Sequence, residues 1–225
     1  MNDKFFLLPE EKQQRILNAA YRVFSQNSYK KSPMSEIAAE AGISKSLLFH
    51  YFHNKQELYL YLWEKSGEVT ISCLREYGCY EQRDLFDMMY RGMQAKLQIM
   101  RQYPFMGAFA IKAFYEKDPE VSMKIQESYR KLLVFKAKAA LVKLDPRQFI
   151  PGLDLEMMYR EMYLASEGYL WEMVQADEVD VKKMEEDFTR MLAFWKQIYM
   201  KKDVGKENEE VQEKEKNAVG TEDEK

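Results

Sequence analysis

The sequence predicts an all-α protein, with an N-terminal three-helix helix-turn-helix domain followed by a larger C-terminal helical domain. Three observations carry that reading. Apolar residues recur at three- and four-residue steps along most of the chain, the spacing of one helix face. Glycine and proline are scarce, 9 and 6 of 225 residues, which disfavours a turn-rich all-β design. Two short helical runs flank Ala41-Gly42-Ile43-Ser44, a tight joint in which glycine permits the turn, Ile43 packs in the angle and serine restarts the helix. Strand alternation and internal repeats are not seen.

The first helix opens at Pro9 with Glu10 and Glu11. Proline loses nothing in a first turn, and acids there suit the helix dipole. Ile16, Leu17, Ala20, Val23 and Phe24 make its apolar stripe, and Asn27 or Ser28 is placed to end it with a left-handed cap. Ser32-Pro33 predicts a hydroxyl cap and a proline at the first position of a second helix, Met34 to Glu40. Ser44 caps a third helix running to about Phe52, with Leu48, Phe49 and Phe52 facing inward. A long helix spans about Asn54 to Tyr77.

Five more helices are expected at about 84–102, 104–116, 119–144, 153–176 and 180–202. Pro104, Asp118-Pro119 and Asp145-Pro146 to Gly152 mark breaks among them, since proline disfavours helix in the residue before it. The last helix carries Val181, Met184, Phe188, Met191, Trp195 and Ile198, a seam of the kind one helix packs along another. From Asp203 onward the apolar residues run out, and residues 201–225 hold nine acids and six lysines. Such a segment cannot bury enough surface to offset its ordering entropy. The expected organisation is therefore 1–53, 54–202 and a disordered acidic tail, 203–225, with the helix from about 54 joining the first two.

The totals restrict function. A net charge of −3 excludes a surface basic all over, but not a local nucleic-acid face. Cys73 and Cys79 make no disulfide framework or zinc pattern, which suits a reducing cytosol. Phe5–Leu8 is too short for a signal peptide, and no apolar run approaches membrane-spanning length. The expected location is the cytoplasm, without membrane contact. Enzyme chemistry finds no support: there is no phosphate-binding glycine loop, no serine or cysteine beside a usable base, and no Glu-x-x-His pair for a di-iron bundle. Catalytic residues, metal ligands and cofactors are all expected to be absent. His50 and His53 are three apart, but lack a neighbouring Cys, Asp or further His to complete a metal site.

One stretch stands apart. From Ala41 to Gln56 there is no Asp or Glu, although acids number 37 in the chain, and both histidines lie within it. A helix that approaches a polyanion must shed acids and gains from short polar or basic side chains at its N-terminus. Ser44-Lys45-Ser46-Leu47 provides that turn. Lys45 can reach guanine or phosphate, Ser46 either, Tyr51 a phosphate through its polar tip, and Lys55 a phosphate at the next helix start. Residues 1–62 hold eight Lys/Arg against six Asp/Glu, a margin so modest that two copies on one DNA molecule are expected.

The run ILNAAYRVFSQNSYKKSPMSEIAAEAGISKSLLFHYFHNKQEL, residues 16–58, resembles the N-terminal domain of the tetracycline-repressor (TetR/AcrR) family of transcriptional regulators. The resemblance rests on Ala19-Ala20, the Ile-Ala-x-x-Ala-Gly-Ile-Ser turn, Tyr51-Phe52, and Lys55 before Glu57-Leu58. It implies an all-helical, non-catalytic homodimer that binds a double-stranded palindromic operator and is released, as a repressor, by a small-molecule inducer. Carried over by position, Ser44, Lys45, Ser46 and Leu47 approach base edges, Tyr51 and Lys55 contact phosphates with His50 beside them, and Ser32 caps the second helix and touches the backbone. Serine stands at 28 and 46 where the family usually has glycine, and phenylalanine at 49 where tyrosine is frequent. Ser46 makes the approach to the groove sterically tighter.

By the same resemblance, some of the Met and aromatic residues between 85 and 200 line a ligand cavity while the others are core. The candidates are Met93, Phe105, Phe109, Phe114, Tyr115, Tyr163 and Trp171. Met and aromatic side chains suit a pocket for flat apolar compounds. Glu167, between Ser166 and Gly168, reads either as an exposed acid or as a buried partner for a cationic ligand. The last two helices are expected to form a four-helix dimer interface through Met162, Ala165, Ser166, Tyr169, Phe188, Met191 and Trp195. The competing reading is a helical protein-interaction module whose 42–55 surface docks an acidic protein without sequence-specific DNA binding.

Overall fold

A computed structural model describes residues 2–175 and 180–201. The acidic segment expected to be disordered lies outside the described residues. The helices are α1 (Glu10–Gln26), α2 (Met34–Glu40), α3 (Lys45–Tyr51), α4 (Lys55–Glu76), α5 (Leu85–Gln102), α6 (Met106–Tyr115), α7 (Ser122–Leu141), α8 (Leu155–Gln175) and α9 (Val181–Tyr199). Short 3-10 turns at Asp3–Phe5, Cys79–Glu81 and Pro146–Gln148 complete the described residues' helical content. No described helix is long and apolar enough to cross a membrane.

Caps explain where several helices begin. Asn54 accepts from the Glu57 amide, Asp84 from Phe86 and Asp87, and Asp180 from Lys182 and Lys183, each satisfying donors that a helix start leaves unpaired. Two expected caps take another form. Asn27 ends α1 in extended backbone, φ −123° and ψ 160°, because the following loop leaves the helix outright instead of folding back. Ser32 caps nothing: its hydroxyl donates to the Ser28 carbonyl at 2.9 Å, and Pro33 precedes α2 without a side-chain cap.

α1 packs on α2 and on α6, α4 on α5, α5 on α9, and α7 and α8 on α6 and each other. A buried aromatic knot joins the N-terminal helices to α6: Phe24–Tyr59 at 4.8 Å between ring centroids, Tyr59–Phe109 at 5.0 Å and Tyr21–Phe109 at 5.3 Å. The Tyr21 hydroxyl finds a buried partner by donating to the Leu62 carbonyl at 3.0 Å. Phe5 is wholly buried beside Phe52, Tyr51 and Tyr61, and the Asn2 amide donates to the Tyr51 carbonyl at 2.9 Å. The N-terminal turn thus plugs the end of α3. Of the expected seam on α9, Met184, Phe188 and Trp195 are buried inside the chain as α9 packs on α5, whereas Val181 and Met191 are half-buried and Ile198 is exposed.

Candidate nucleic-acid interface and ligand cavity

The joint between α2 and α3 turns on Gly42, at φ +64°, a left-handed conformation that side chains with a Cβ adopt at a cost. The amides of Gly42 and Ile43 close the end of α2 on the carbonyls of Ala39 and Ala38, each at 3.0 Å. Ser44 then starts α3: its hydroxyl accepts from the Leu47 amide at 3.1 Å and lies 3.0 Å from the Ser46 hydroxyl. Ser44, Lys45 and Ser46 are exposed and Leu47 is half-buried. The positive end of the helix dipole therefore projects outward behind two hydroxyls and one lysine, with no acid in the first turn. Lys45 lies 5.8 Å from the Phe49 ring centre. Leu48 and Phe52 are fully buried as expected, whereas Phe49 is only half-buried.

The flanking candidates divide. His50 is exposed, with Nε2 3.4 Å from Asn2 Nδ2. Lys55 donates to the Lys30 carbonyl at 3.1 Å and sits 4.7 Å from the Tyr29 ring centre, so it is partly tethered beside the α1–α2 loop. Tyr51 is only 7% exposed and packs against Phe5, and Ser32 is likewise buried. Neither offers the open surface that the sequence suggests, because the N-terminal turn covers one and the α1–α2 loop folds over the other. His53 closes the α3–α4 turn: its amide and Nδ1 meet Glu57 Oε2 at 2.7 and 2.9 Å. Among the described residues no group of three His, Cys, Asp or Glu is placed to hold a metal.

A large cavity of about 1820 Å³ lies among α4, α5, α6, α7 and α8. Phe114, Tyr115, Tyr163 and Trp171 line it. Met93 and Phe109 do not, since Met93 is buried in the core and Phe109 fills the aromatic knot. Phe105 lines a separate, smaller hollow of about 390 Å³ beside α1, where the Arg22 guanidinium lies 5.8 Å from its ring centre. Sequence periodicity shows which face of a helix is apolar but not whether that face meets a neighbour or a void. It also misses three aromatic residues of the cavity wall, Trp63, Tyr129 and Tyr159. Glu167 lines the cavity and pairs with Lys96 across 2.6 Å, so neither reading of it as simply exposed or simply buried holds.

Burial above all, then the Glu167 carboxylate and Tyr129, pushes the Tyr163 phenol far above its ordinary range. Burial is also the main cause raising Tyr129 and Tyr159, with Glu167 adding to both. These hydroxyls remain neutral donors at physiological pH.

The cavity connects with the N-terminal helices through the end of α6. The Glu116 carboxylate accepts from the Tyr29 amide at 2.8 Å, the Tyr29 hydroxyl donates to Glu120 at 2.7 Å, and Lys112 donates to the Ser25 carbonyl at 2.9 Å. Nothing in the spacing of Glu116 and Glu120 announces these ties, which depend on a loop meeting residues nearly ninety positions away.

Of the dimer candidates, Met162, Ser166, Phe188 and Trp195 are buried within the single chain and so cannot supply an intersubunit surface. Ala165, Tyr169 and Met191 are half-buried. Among the described residues, the large apolar side chains that α8 and α9 leave exposed are Met157, Leu164, Trp171, Phe194 and Ile198. The first three are seven apart, on the face of α8 that lines the cavity, which leaves Phe194 and Ile198 of α9 outside it.

Residues 16–62 match the family model described as bacterial regulatory proteins, tetR family. The chain is 36% identical over 67 residues to the HTH-type transcriptional activator FasR of Mycolicibacterium smegmatis, covering 30% of this chain and 31% of that protein. It is 35% identical over 66 residues to the HTH-type transcriptional regulator AcrR of Shigella flexneri, covering 28% and 31%. The matches thus span about a third of the length of these curated relatives. Over the longer range the fold is similar to that of SmeT, the repressor of the Stenotrophomonas maltophilia multidrug efflux pump SmeDEF. That likeness has a TM-score of 0.59 at 18% identity and covers 87% of this chain and 95% of that one.

Proposed function

Its N-terminal module being that of the tetR family of bacterial regulatory proteins, we propose that the chain is a cytoplasmic, ligand-responsive transcriptional regulator, a repressor that binds a palindromic operator as a homodimer. The observation that carries this is the first turn of α3, capped by Ser44, free of acids and exposed at Ser44, Lys45 and Ser46. A helix end of that kind suits the edge of a major groove. Lys45 and Ser46 are assigned to base edges, with His50 and Lys55 beside phosphates. Tyr51 and Leu47 hold the helix, Tyr51 by packing and Leu47 through its capped amide. Residues 1–53 form the DNA-binding domain, and 54–202 the ligand-binding and dimerisation domain. The role is regulatory, without catalysis.

Two such helices in a dimer would enter successive major grooves about 34 Å apart. The exposed apolar residues of α9, Phe194 and Ile198, are assigned to the subunit contact. A ligand in the cavity shifts the population toward a spacing that no longer fits the operator, provided it binds the two states unequally. The α6 ties to Tyr29 are the route by which the cavity wall moves the N-terminal helices.

The test is retention of sheared genomic DNA by the purified protein at near-physiological salt, followed by sequencing. An enriched palindrome is expected. No enrichment by protein unfolded, washed free of ligand and refolded would favour a helical module that binds another protein instead.

A further inference from the structure

The cavity wall has a polarity of its own. Of the charged side chains described along it, Lys96 and Glu167 are part-buried, while Glu64, Glu68, Arg130, Lys138, Asp154, Glu156 and Arg160 are exposed. Around that part-buried pair stand aromatic rings: Tyr159 and Tyr163 stacked at 6.3 Å, Phe114 and Tyr129 at 4.5 Å, Tyr115 and Trp171 at 6.2 Å. Ring faces carry negative potential and attract cations. Tyr129 and Tyr163 act on each other's hydroxyls, and both feel the Glu167 charge.

Resting on the reading of this cavity as the ligand site, we infer that it is built for an organic cation, an ammonium or similar group carrying apolar substituents, which takes the place of the Lys96 ammonium on Glu167. The choice of sign follows from which partner can leave. Lys96 reaches Glu167 at 2.6 Å from the end of a flexible four-carbon stem. Swinging it away leaves a carboxylate still set among neutral phenols, where an incoming cation restores the pair and gains the ring faces. An anionic ligand would instead have to evict Glu167 from a shorter stem. It would then sit beside that carboxylate and against ring faces that repel it. Without a ligand, Lys96 keeps the part-buried acid paired.

The test uses two probes of nearly equal shape and opposite charge, tetraphenylphosphonium and tetraphenylborate, titrated into the full-length protein. Calorimetry and the fluorescence of the cavity residues Trp63 and Trp171 report binding. The expected result is that the phosphonium binds about tenfold or more tightly than the borate. Glu167→Gln should cost at least about tenfold in phosphonium affinity, and Lys96→Met should raise it. Equal or tighter binding of the borate, or a Glu167→Gln affinity unchanged for the phosphonium, overturns the inference. If Glu167→Gln melts before it can be titrated, Lys96→Met decides: weaker phosphonium binding in that variant overturns it. Binding of neither probe by a protein that still retains operator DNA sinks the cation site and leaves the regulator standing. Phosphonium binding without DNA retention does the reverse.

Discussion

Tyr51 and Phe5 show what a single residue's surroundings add to its sequence context. The sequence marks Tyr51 by its place near a basic, acid-free turn, and a phosphate contact follows naturally. The structure presses that ring against a buried Phe5 and leaves it 7% exposed. Tyr51→Ala is therefore expected to destabilise the fold by about 3 kcal/mol, the ordinary cost of emptying a buried aromatic site, and to lose DNA binding for that reason. Tyr51→Phe should keep stability and cost little affinity; a large loss of affinity in a fully stable Tyr51→Phe protein would restore the phosphate contact. Phe5→Ala should destabilise by about 3–5 kcal/mol, read from a denaturant melt. Residues 2–8 escaped the sequence reading because a 3-10 turn of three residues has no period to detect. Lys45 and Ser44 were legible because cap, dipole and charge are local.

The helix starts expected at about 84 and 180 were legible to within one residue, and the structure shows Asp84 and Asp180 to be their caps. Asp84→Ala should cost about 1 kcal/mol, seen as a lower denaturant midpoint with unchanged slope; no loss would mean that packing on α4 alone sets the start of α5. Which face of a helix meets which partner was not legible, since it depends on contacts far apart in sequence. The seam on α9 reads equally well as an intersubunit or an intrachain contact, and Met184, Phe188 and Trp195 are spent on the latter. At α6 the same limit hid the link between cavity and N-terminal helices. Tyr29→Phe removes the hydroxyl bond to Glu120 and should weaken the ligand's effect on DNA affinity by about 0.5–2 kcal/mol. Paired titrations with and without ligand measure it, and an unchanged effect would place the coupling elsewhere.

The molecule as a whole carries many shielded phenols. Burial is the leading cause that raises Tyr21, Tyr59, Tyr61 and Tyr159, with Tyr61 pushed up to about 12. In the unfolded chain these groups ionise near 10, so between there and the raised native values the native state holds protons that the unfolded state has lost. Stability is thus fully present below about pH 10 and falls as pH rises toward 12. Phenolate absorbance should appear together with unfolding, in one cooperative step; gradual ionisation before loss of helix would show the phenols to be accessible. The subunit contact belongs to this scale too. Phe194→Glu, on the exposed face of α9, should turn a dimer into a monomer of intact helicity in sedimentation, and a dimer unchanged by it would move the contact to another face.

The account stands on the first turn of α3. The most direct measurement is the affinity of the wild type, Lys45→Ala and Lys143→Ala for one enriched operator fragment across a range of salt. Both lysines are exposed and the charge change is the same, but Lys143 follows α7, on a different element. The account predicts that Lys45→Ala loses about tenfold or more in affinity and lowers the salt slope by about 1 per subunit, while Lys143→Ala binds like the wild type. Equal losses in the two variants, or none in either, would mean that the capped, acid-free turn does not lie against DNA.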